Sequence, residues 1–316
     1  MKVISVLDTA ITSYNLGNQI IMESVYDIVE ELFPEDFLYQ LPWEGAVSPT
    51  AHACMRSSDY VFFGGTNSLS SNILKYKQMG FRARDLLRFS SLTLLGMGWW
   101  QYQGRPDFYT RAFIRRLLSG STLHSVRDEY TKTKLADIGV SNVLNTCCPT
   151  TWKLTPEHCA SIPKNKSDSV MVTLTDYNQS RASDERLLSE LVDSYSNVFY
   201  WVQGAGDLMY IRSFKGFERD INIVSPKIKK YDFALDSYDC DYIGTRLHAG
   251  IRAIQRGKRA LILAVDNRAA EIAKDIGLNV RSRDDVSGIS DFIGGRYETR
   301  LKVPFDEINR WKAQFI

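Results

Sequence analysis

The chain has 316 residues, of which 44% are hydrophobic and 24% charged, a balance that is ordinary for a globular protein. Its 39 basic residues are nearly matched by 37 acidic ones, so the overall charge gives no argument for nucleic-acid binding and we expect none. The length favours two domains, although one large α/β domain would also fit.

The cysteines indicate a reducing compartment. There are five, an odd number, and they form no CxxC pair, which is typical of free thiols in the cytoplasm. None of the four histidines has metal-ligand spacing to another His or Cys, so no metal site is predicted. No stretch is long and apolar enough to span a membrane, and the first residues lack the order of a signal peptide. We therefore expect a cytoplasmic protein.

The first predicted strand covers residues 2–7, and a helical pattern begins near Ile20. Asn15, Gly17 and Asn18 lie at the turn between them, where backbone N–H groups and the helix dipole favour an anion. An ordinary helix start capped by an asparagine is the alternative interpretation.

A second apolar strand, at residues 59–69, contains Gly64 and Gly65, followed by Thr66. Because glycine has no Cβ, a ligand could approach the backbone closely here, although a tight turn would use the same residues. Residues 91–100 repeat the scheme of an apolar strand followed by glycines.

Arg127 and Asp128 stand where a short strand gives way to a helix that stops at Gly139. The pair could bind an anion, or it could be an ion pair at the first turn of a helix with no further role. After residues 146–152 the pattern breaks, and residues 155–169 have the composition of a linker.

From residue 169 strands and helices alternate again, which predicts a second β/α/β unit like the first. We expect an N-terminal Rossmann-like domain at 1–154, a C-terminal one at 165–304, and a terminal helix at 305–316 that packs near their junction.

Residues 244–266 form a strand–loop–helix–strand unit with its charged residues in the loop. Arg246 is a planar cation that can bind a carboxylate or phosphate with two hydrogen bonds. His248 can exchange a proton near neutral pH, and Leu247 separates the two. A lone histidine near a strand end is commonly structural, but the neighbouring Arg246 favours proton transfer for His248.

These motifs, in this order, resemble the polysaccharide pyruvyl transferase family. The resemblance extends over nearly the whole chain and is carried by five segments: Asn15-x-Gly17-Asn18, Phe63-Gly64-Gly65-Thr66, Ser125-Val126-Arg127-Asp128-Glu129-Tyr130-Thr131, Cys148-Pro149-Thr150 and Arg246-Leu247-His248.

The resemblance implies a GT-B-like α/β fold, in which two Rossmann-type β/α/β domains face a cleft. It also implies a transferase that moves a pyruvyl group from phosphoenolpyruvate to a sugar of a surface polysaccharide or its precursor, forming a ketal. Phosphoenolpyruvate would be a co-substrate, and no cofactor is expected. The acceptor would be a sugar, a nucleotide sugar or a lipid-linked glycan.

The resemblance further implies roles for particular residues. Arg246 and Arg127 would bind the anionic donor from opposite domains, and His248 would be the general acid or base. The substrate-binding set would comprise Asn15, Gly17, Asn18, Gly64, Gly65, Thr66, Asp128, Leu247, Asp266 and Arg268.

Two positions depart from the family pattern: Asn18 stands where an Asp is common, and Arg268 where a Lys is common. An amide cannot act as a carboxylate base, so a base at position 18 is lost or moved. Two alternatives therefore stay open, a GT-B glycosyltransferase with a nucleotide-sugar donor and a non-catalytic homologue. The basic run at residues 227–230 would allow peripheral contact with a membrane, or would simply be a solvated loop. The sequence gives no indication of oligomeric state.

Overall fold

The computed structural model describes residues 1–43, 48–78 and 92–316. Contacts between Cα atoms divide the chain into two compact units. Unit 1 comprises Met1–Ser13, Ile21–Trp152 and Val303–Ile316, and unit 2 comprises Tyr14–Ile20 and Lys153–Lys302. The domain limits expected from the sequence stay predictions. Ser91, which we expected to begin a strand, lies outside the described residues.

Unit 1 is built on a parallel six-stranded sheet in the order β2-β1-β3-β4-β5-β6. Its strands are β1 (Val3–Asp8), β2 (Phe37–Pro42), β3 (Tyr60–Leu69), β4 (Thr93–Trp99), β5 (His124–Val126) and β6 (Val143–Asn145). The helices in this part of the chain are α1 (Leu16–Leu32), α2 (Pro49–Ser57), α3 (Ile73–Tyr76), α4 (Phe108–Leu117) and α5 (Glu129–Ala136). A short 3₁₀ turn at Pro149–Thr151 follows β6.

Unit 2 contains a second parallel six-stranded sheet, in the order β12-β11-β10-β7-β8-β9. Its strands are β7 (Ser169–Thr173), β8 (Asn197–Trp201), β9 (Ile221–Val224), β10 (Cys240–Gly244), β11 (Ala260–Ala264) and β12 (Val280–Ser282). Its helices are α6 (Pro156–Ser161), α7 (Arg181–Ser194), α8 (Asp207–Arg212), α9 (Ile228–Ser237), α10 (Leu247–Gln255), α11 (Asn267–Ile276) and α12 (Val286–Gly294). The chain ends with α13 (Phe305–Lys312), which belongs to unit 1.

The central strands are buried from end to end. All seven residues of β4 and all five of β7 and β10 are buried, because helices cover both faces of a parallel sheet. The core of unit 1 includes Phe63, Trp99 and Val126, and that of unit 2 includes Val172 and Ile243. Two Rossmann-type α/β sheets were predicted from the sequence, and both are present.

The strand order of unit 2 creates its binding position. The chain builds β7, β8 and β9 outward in one direction and then returns to place β10 on the other side of β7. In such open sheets a crevice forms at the carboxyl ends of the two strands where the direction reverses, and ligands bind there. In unit 2 that position lies after Thr173 of β7 and Gly244 of β10.

Several local expectations were wrong. Residues 155–169, expected to be a linker, contain α6, because Thr155 caps the helix by accepting from the His158 N–H and Pro156 fits its first turn. The edge strand β2 (Phe37–Pro42) was not predicted. Helix α1 begins at Leu16 rather than near Ile20. No helix in the described ranges has the length and apolar character needed to cross a membrane.

Candidate functional site

The candidate site lies at the carboxyl ends of the strands of unit 2. Loops that follow β7, β8, β10 and β11 converge there on one pocket. Its lining residues are Asn15, Tyr177, Gln203, Thr245, Arg246, Leu247, His248, Val265, Asp266, Arg268 and Ala269. Six of the thirteen predicted site residues are therefore brought together at the position where an open α/β sheet binds ligands.

Arg246 occupies the N-cap position of α10, makes no capping hydrogen bond with its side chain, and is only 4% exposed. Its Nη2 atom donates to Asp176 Oδ1 at 2.9 Å and also to Asp207 Oδ1. Its Nε atom is buried and has no hydrogen-bond partner among the described residues. Burial opposes the charge of the guanidinium, but Asp207, together with Tyr177 and Asp176, raises the pKa of Arg246 above its ordinary value, so the side chain is a cation.

Asp207 fixes the position of the Arg246 guanidinium. The side chain is fully buried and accepts hydrogen bonds from the backbone N–H groups of Gln203 at 3.2 Å and Gly204 at 2.7 Å. A Cβ atom on Gly204 would lie 2.4 Å from Arg246 Nη2, so no other residue type leaves room for the guanidinium. Asp207 was not predicted from the sequence, although the polar and glycine residues directly after β8 were a usable signal.

Tyr177 links the two arginines of the pocket. The guanidinium carbon of Arg246 lies 5.1 Å from the centre of the Tyr177 ring, a cation–π distance. The Tyr177 hydroxyl accepts a hydrogen bond from Arg268 Nη2 at 2.7 Å. Tyr177 is 55% exposed, so its ring also forms part of the pocket rim. Neither Tyr177 nor Asp176 was singled out from the sequence.

Asp266 and Arg268 form an ion pair at the start of α11. Asp266 caps the helix by accepting from the Arg268 N–H at 3.0 Å, and it also accepts from Arg268 Nε at 3.0 Å. Burial opposes the charge of Arg268, but Asp266 raises the pKa of Arg268 above its ordinary value. The charge of Arg268 is thus already matched by a carboxylate.

His248 is the second residue of α10 and lines the pocket together with Arg246 and Leu247. It is 5% exposed, so it is buried at the wall of the pocket. The first turn of a helix carries a partial positive charge, which favours an anionic ligand beside it. Its role in proton transfer stays a prediction.

The segment around Asn15 belongs to unit 2 by its contacts. Asn15 Oδ1 accepts from Gln203 Nε2 at 2.8 Å and from the Gly17 N–H at 2.9 Å, and the Leu16 N–H donates to the Gln203 carbonyl at 3.0 Å. A Cβ atom on Gly17 would lie 2.8 Å from Gln203 Nε2. Asn15 and Gly17 therefore fasten this segment to Gln203, while Asn18, which is half-buried, donates its N–H to the Asn15 carbonyl.

Arg127 and Asp128 lie in unit 1, at the end of β5 and the start of α5. Arg127 is 1% exposed, and its guanidinium donates to Asp128 Oδ2 at 3.3 Å and to Asn67 Oδ1 at 2.5 Å. Asp128 caps α5 by accepting from the Thr131 N–H at 2.7 Å. Both residues have clear structural partners, and donor binding by Arg127 stays a prediction.

The two glycines of β3 have a packing role in unit 1. A Cβ atom on Gly64 would lie 2.9 Å from Val25, and one on Gly65 would lie 2.8 Å from Ile21, and both of these neighbours are on α1. Their missing side chains allow the helix to pack closely on the strand. Thr66, which pairs with Met97 of β4, is half-buried. Whether these three residues also contact substrate stays a prediction.

The architecture is shared with sugar-nucleotide enzymes of the GT-B fold. UDP-GlcNAc 2-epimerase from Methanocaldococcus jannaschii, in complex with UDP-GlcNAc and UDP, is 10% identical with a TM-score of 0.53, covering 99% of this chain and 100% of its own. MnaA from S. aureus with UDP is 12% identical with a TM-score of 0.58, covering 100% and 98%. Alr3699/HepE from Anabaena, with UDP and glucose, is 9% identical with a TM-score of 0.52, covering 93% and 89%. These likenesses confirm the predicted GT-B-like fold class, while the arrangement of two domains about a cleft stays a prediction.

No curated protein is significantly similar to the chain in sequence. The sequence model of the polysaccharide pyruvyl transferase family, in contrast, matches residues 15–267. This range begins at Asn15 and includes Arg127, Arg246 and His248, so it spans the motifs on which the resemblance was based. The chain belongs to the polysaccharide pyruvyl transferase family and is a transferase.

Proposed function

We propose that the chain transfers the pyruvyl group of phosphoenolpyruvate to two hydroxyl groups of one sugar, forming a pyruvate ketal on a surface polysaccharide or its precursor. The observation that carries the proposal is the Arg246 guanidinium, buried beside His248 with an unpartnered Nε, in a pocket at the ligand-binding end of the sheet. A buried cation with spare donor capacity is suited to a small organic anion.

The reaction needs an anion site and a group that moves protons. Two sugar oxygens form bonds to C2 of the donor, the bond from C2 to the phosphate oxygen breaks, and C3 gains a proton to become a methyl group. The two hydroxyl groups lose their protons, one of which balances the proton gained at C3 while the other leaves with phosphate. Arg246 would bind the donor's negative charge, and His248 would move the protons, because the amide of Asn18 cannot act as a base.

Gln203 would help to hold the acceptor sugar. Gln203 lines the same pocket, and its buried Oε1 atom lacks a hydrogen-bond partner within the described part of the chain. A sugar hydroxyl that donated to this atom would satisfy it. Tyr177, with its exposed ring at the rim, offers an apolar surface of the kind that sugar rings cover.

The acceptor is a nucleotide sugar or a lipid-linked glycan. The fold neighbours that hold UDP or UDP-GlcNAc in their crystals support the first choice, since they show that this architecture accommodates such ligands. We place the reaction in the cytoplasm or at the inner face of the membrane, where polysaccharide precursors are assembled.

Thermal unfolding with candidate ligands tests the proposal. Phosphoenolpyruvate at a hundredfold excess over its dissociation constant would stabilise the fold by about 2.7 kcal/mol. The stabilisation should disappear in Arg246→Lys, which keeps a charge beside Asp207 but loses the planar group. It should persist in the control Arg252→Lys, whose arginine is on the same helix but pairs with Asp232.

Other outcomes redirect the assignment. Stabilisation by a UDP-, GDP- or CMP-sugar with none from phosphoenolpyruvate would replace the pyruvyl donor by a nucleotide-sugar donor. Phosphoenolpyruvate and an acceptor that both bind without any ketal methyl signal appearing in proton NMR would mark a non-catalytic homologue.

A further inference from the structure

The hydrogen bonds of Arg246 leave no side of the guanidinium open to a bidentate anion. An anion bound by two parallel hydrogen bonds uses either Nε with Nη2 or Nη1 with Nη2, so both arrangements need a hydrogen of Nη2. Nη2 has two hydrogens, and they are directed to Asp176 Oδ1 at 2.9 Å and to Asp207 Oδ1. An anionic substrate that accepts two hydrogen bonds from Arg246 must therefore replace one of these carboxylates.

The two aspartates differ in how firmly they are held. The Asp207 side chain is fully buried and also accepts from the N–H groups of Gln203 and Gly204, so its departure would leave buried donors unsatisfied. The Asp176 side chain is 31% exposed and follows β7 on a loop at the pocket. Water can solvate the Asp176 carboxylate when it leaves Arg246, which makes it the replaceable partner.

The balance of charges around the pocket also favours the displacement of a carboxylate from Arg246. The guanidinium groups of Arg246 and Arg268 face three carboxylates, those of Asp176, Asp207 and Asp266. The carboxylates outnumber the guanidinium groups by one. An anionic donor gains little from such a pocket unless one of these carboxylates moves away.

Resting on the proposed function, we propose that Asp176 is an internal competitor of the donor: its carboxylate occupies the anion position on Arg246, and its displacement sets the affinity for phosphoenolpyruvate. Asp207, in contrast, is the positioning residue that keeps the guanidinium in place when Asp176 leaves. The exchange frees one hydrogen of Arg246 Nη2 for the incoming anion and requires no covalent step.

The two aspartates should respond to the same substitution with opposite signs. Asp176→Asn keeps the size of the side chain but removes its charge, so phosphoenolpyruvate should bind about tenfold more tightly in calorimetric titration. Asp207→Asn places an amide NH₂ against backbone N–H groups and should weaken binding about tenfold or more. Asp232→Asn removes a charge that is paired with Arg252 and should leave the affinity unchanged.

Asp176→Ser is a second variant with the same expected sign, for use if the asparagine variant folds poorly. Equal or weaker binding of phosphoenolpyruvate by both Asp176 variants would overturn the inference while leaving the proposed donor intact. Inorganic phosphate serves as a second probe. If phosphoenolpyruvate binds to no variant but phosphate binds more tightly to Asp176→Asn and more weakly to Asp207→Asn, Asp176 competes with anions for Arg246 as inferred, and the assignment of phosphoenolpyruvate as the donor fails. Binding of neither anion to any variant would refute both.

Discussion

Two buried arginines of unit 2, Arg246 and Arg259, lie on either side of α10, the first after β10 and the second before β11. Arg259 precedes β11 and is 1% exposed. Its Nε and Nη2 atoms donate to the two oxygens of Asp241 at 3.1 and 2.6 Å, and its Nη1 donates to the Gly295 carbonyl at 2.8 Å. All three nitrogens of Arg259 are therefore in use, whereas Arg246, which follows β10, has an unpartnered Nε.

The difference shows that burial alone does not identify a functional arginine. Asp241 also accepts from the Tyr195 hydroxyl at 2.8 Å, so the Arg259 group is a closed polar network at the amino ends of the strands. Such a network favours a unique packing arrangement but offers nothing to a ligand. An arginine at the carboxyl ends with unused donors is the one that can take part in binding.

The largest expected effect is the loss of activity in Arg246→Lys. Ketal formation, measured by phosphate release, should fall by about 10²–10³-fold, because a lysine cannot form two parallel hydrogen bonds to phosphoenolpyruvate. The midpoint of thermal unfolding should change little, since the ammonium group still pairs with Asp207. A large drop in the midpoint of thermal unfolding alongside the loss of activity would show that Arg246, like Arg259, has a structural role.

Replacing Arg259 by lysine should have the opposite effects, a loss of stability with no loss of affinity for phosphoenolpyruvate. Arg259→Lys leaves buried acceptors of Asp241 and Gly295 without donors, which should lower the free energy of unfolding by about 3 kcal/mol. Affinity for phosphoenolpyruvate at a temperature where the variant is folded should match that of the wild type. A loss of affinity for phosphoenolpyruvate in Arg259→Lys without a loss of stability in urea would contradict the comparison.

In unit 1, His124 is a further buried polar side chain with structural partners, at the amino end of β5. Its Nδ1 accepts from the Leu94 N–H at 3.3 Å, and its Nε2 lies 3.2 Å from the Leu118 carbonyl, which it contacts as a donor. Burial lowers the pKa of His124 from 6.5 to about 4. Below pH 6.5 the unfolded chain therefore binds a proton that the folded chain does not, and stability falls as the pH is lowered towards 4.

Between pH 8 and pH 5 this histidine should reduce the free energy of unfolding by about 2 kcal/mol. Urea titrations across this range measure the change, and His124→Asn should show a correspondingly smaller dependence on pH. An identical pH profile in the variant would show that His124 titrates normally in the folded protein.

The smallest expected effect is that of Tyr177→Phe. The variant keeps the ring next to Arg246 but removes the acceptor for Arg268 Nη2, so KM for phosphoenolpyruvate should rise by only about two- to fivefold. Tyr177→Ala also removes the ring and should raise KM further. Equal effects of the two substitutions would assign the whole contribution to the hydroxyl.

The sequence predicted the central strands well, because runs of apolar residues ending at glycines mark buried parallel strands. It missed β2, although Phe37, Leu38, Tyr39 and Leu41 are residue types that favour strands; the short strand ends at Pro42 and lies at the sheet edge. Arg246 and His248 were found because they stand close together in one loop.

The partners of Arg246 could not be found in this way. Asp176 and Asp207 lie 70 and 39 residues from it along the chain, on loops brought together only by the crossover order of the sheet. A single sequence shows that a polar residue follows a strand but not which strands become neighbours. The sequence therefore indicated a cation at Arg246 but not the two carboxylates that accept from its Nη2 atom.

Trp311 of α13 has a consequence for how the protein folds during synthesis. Its indole is fully buried in unit 1, with its ring centre 6.0 Å from that of Phe62 and 5.7 Å from that of Trp152. The ribosome makes all of Lys153–Lys302 between Trp152 and the returning segment, which takes about 10 to 30 s at usual rates of elongation. During that interval the aromatic surface around Phe62 lacks its cover, so unit 1, although begun first, is completed last. Nascent chains halted before Val303 should therefore be susceptible to proteases in their N-terminal half.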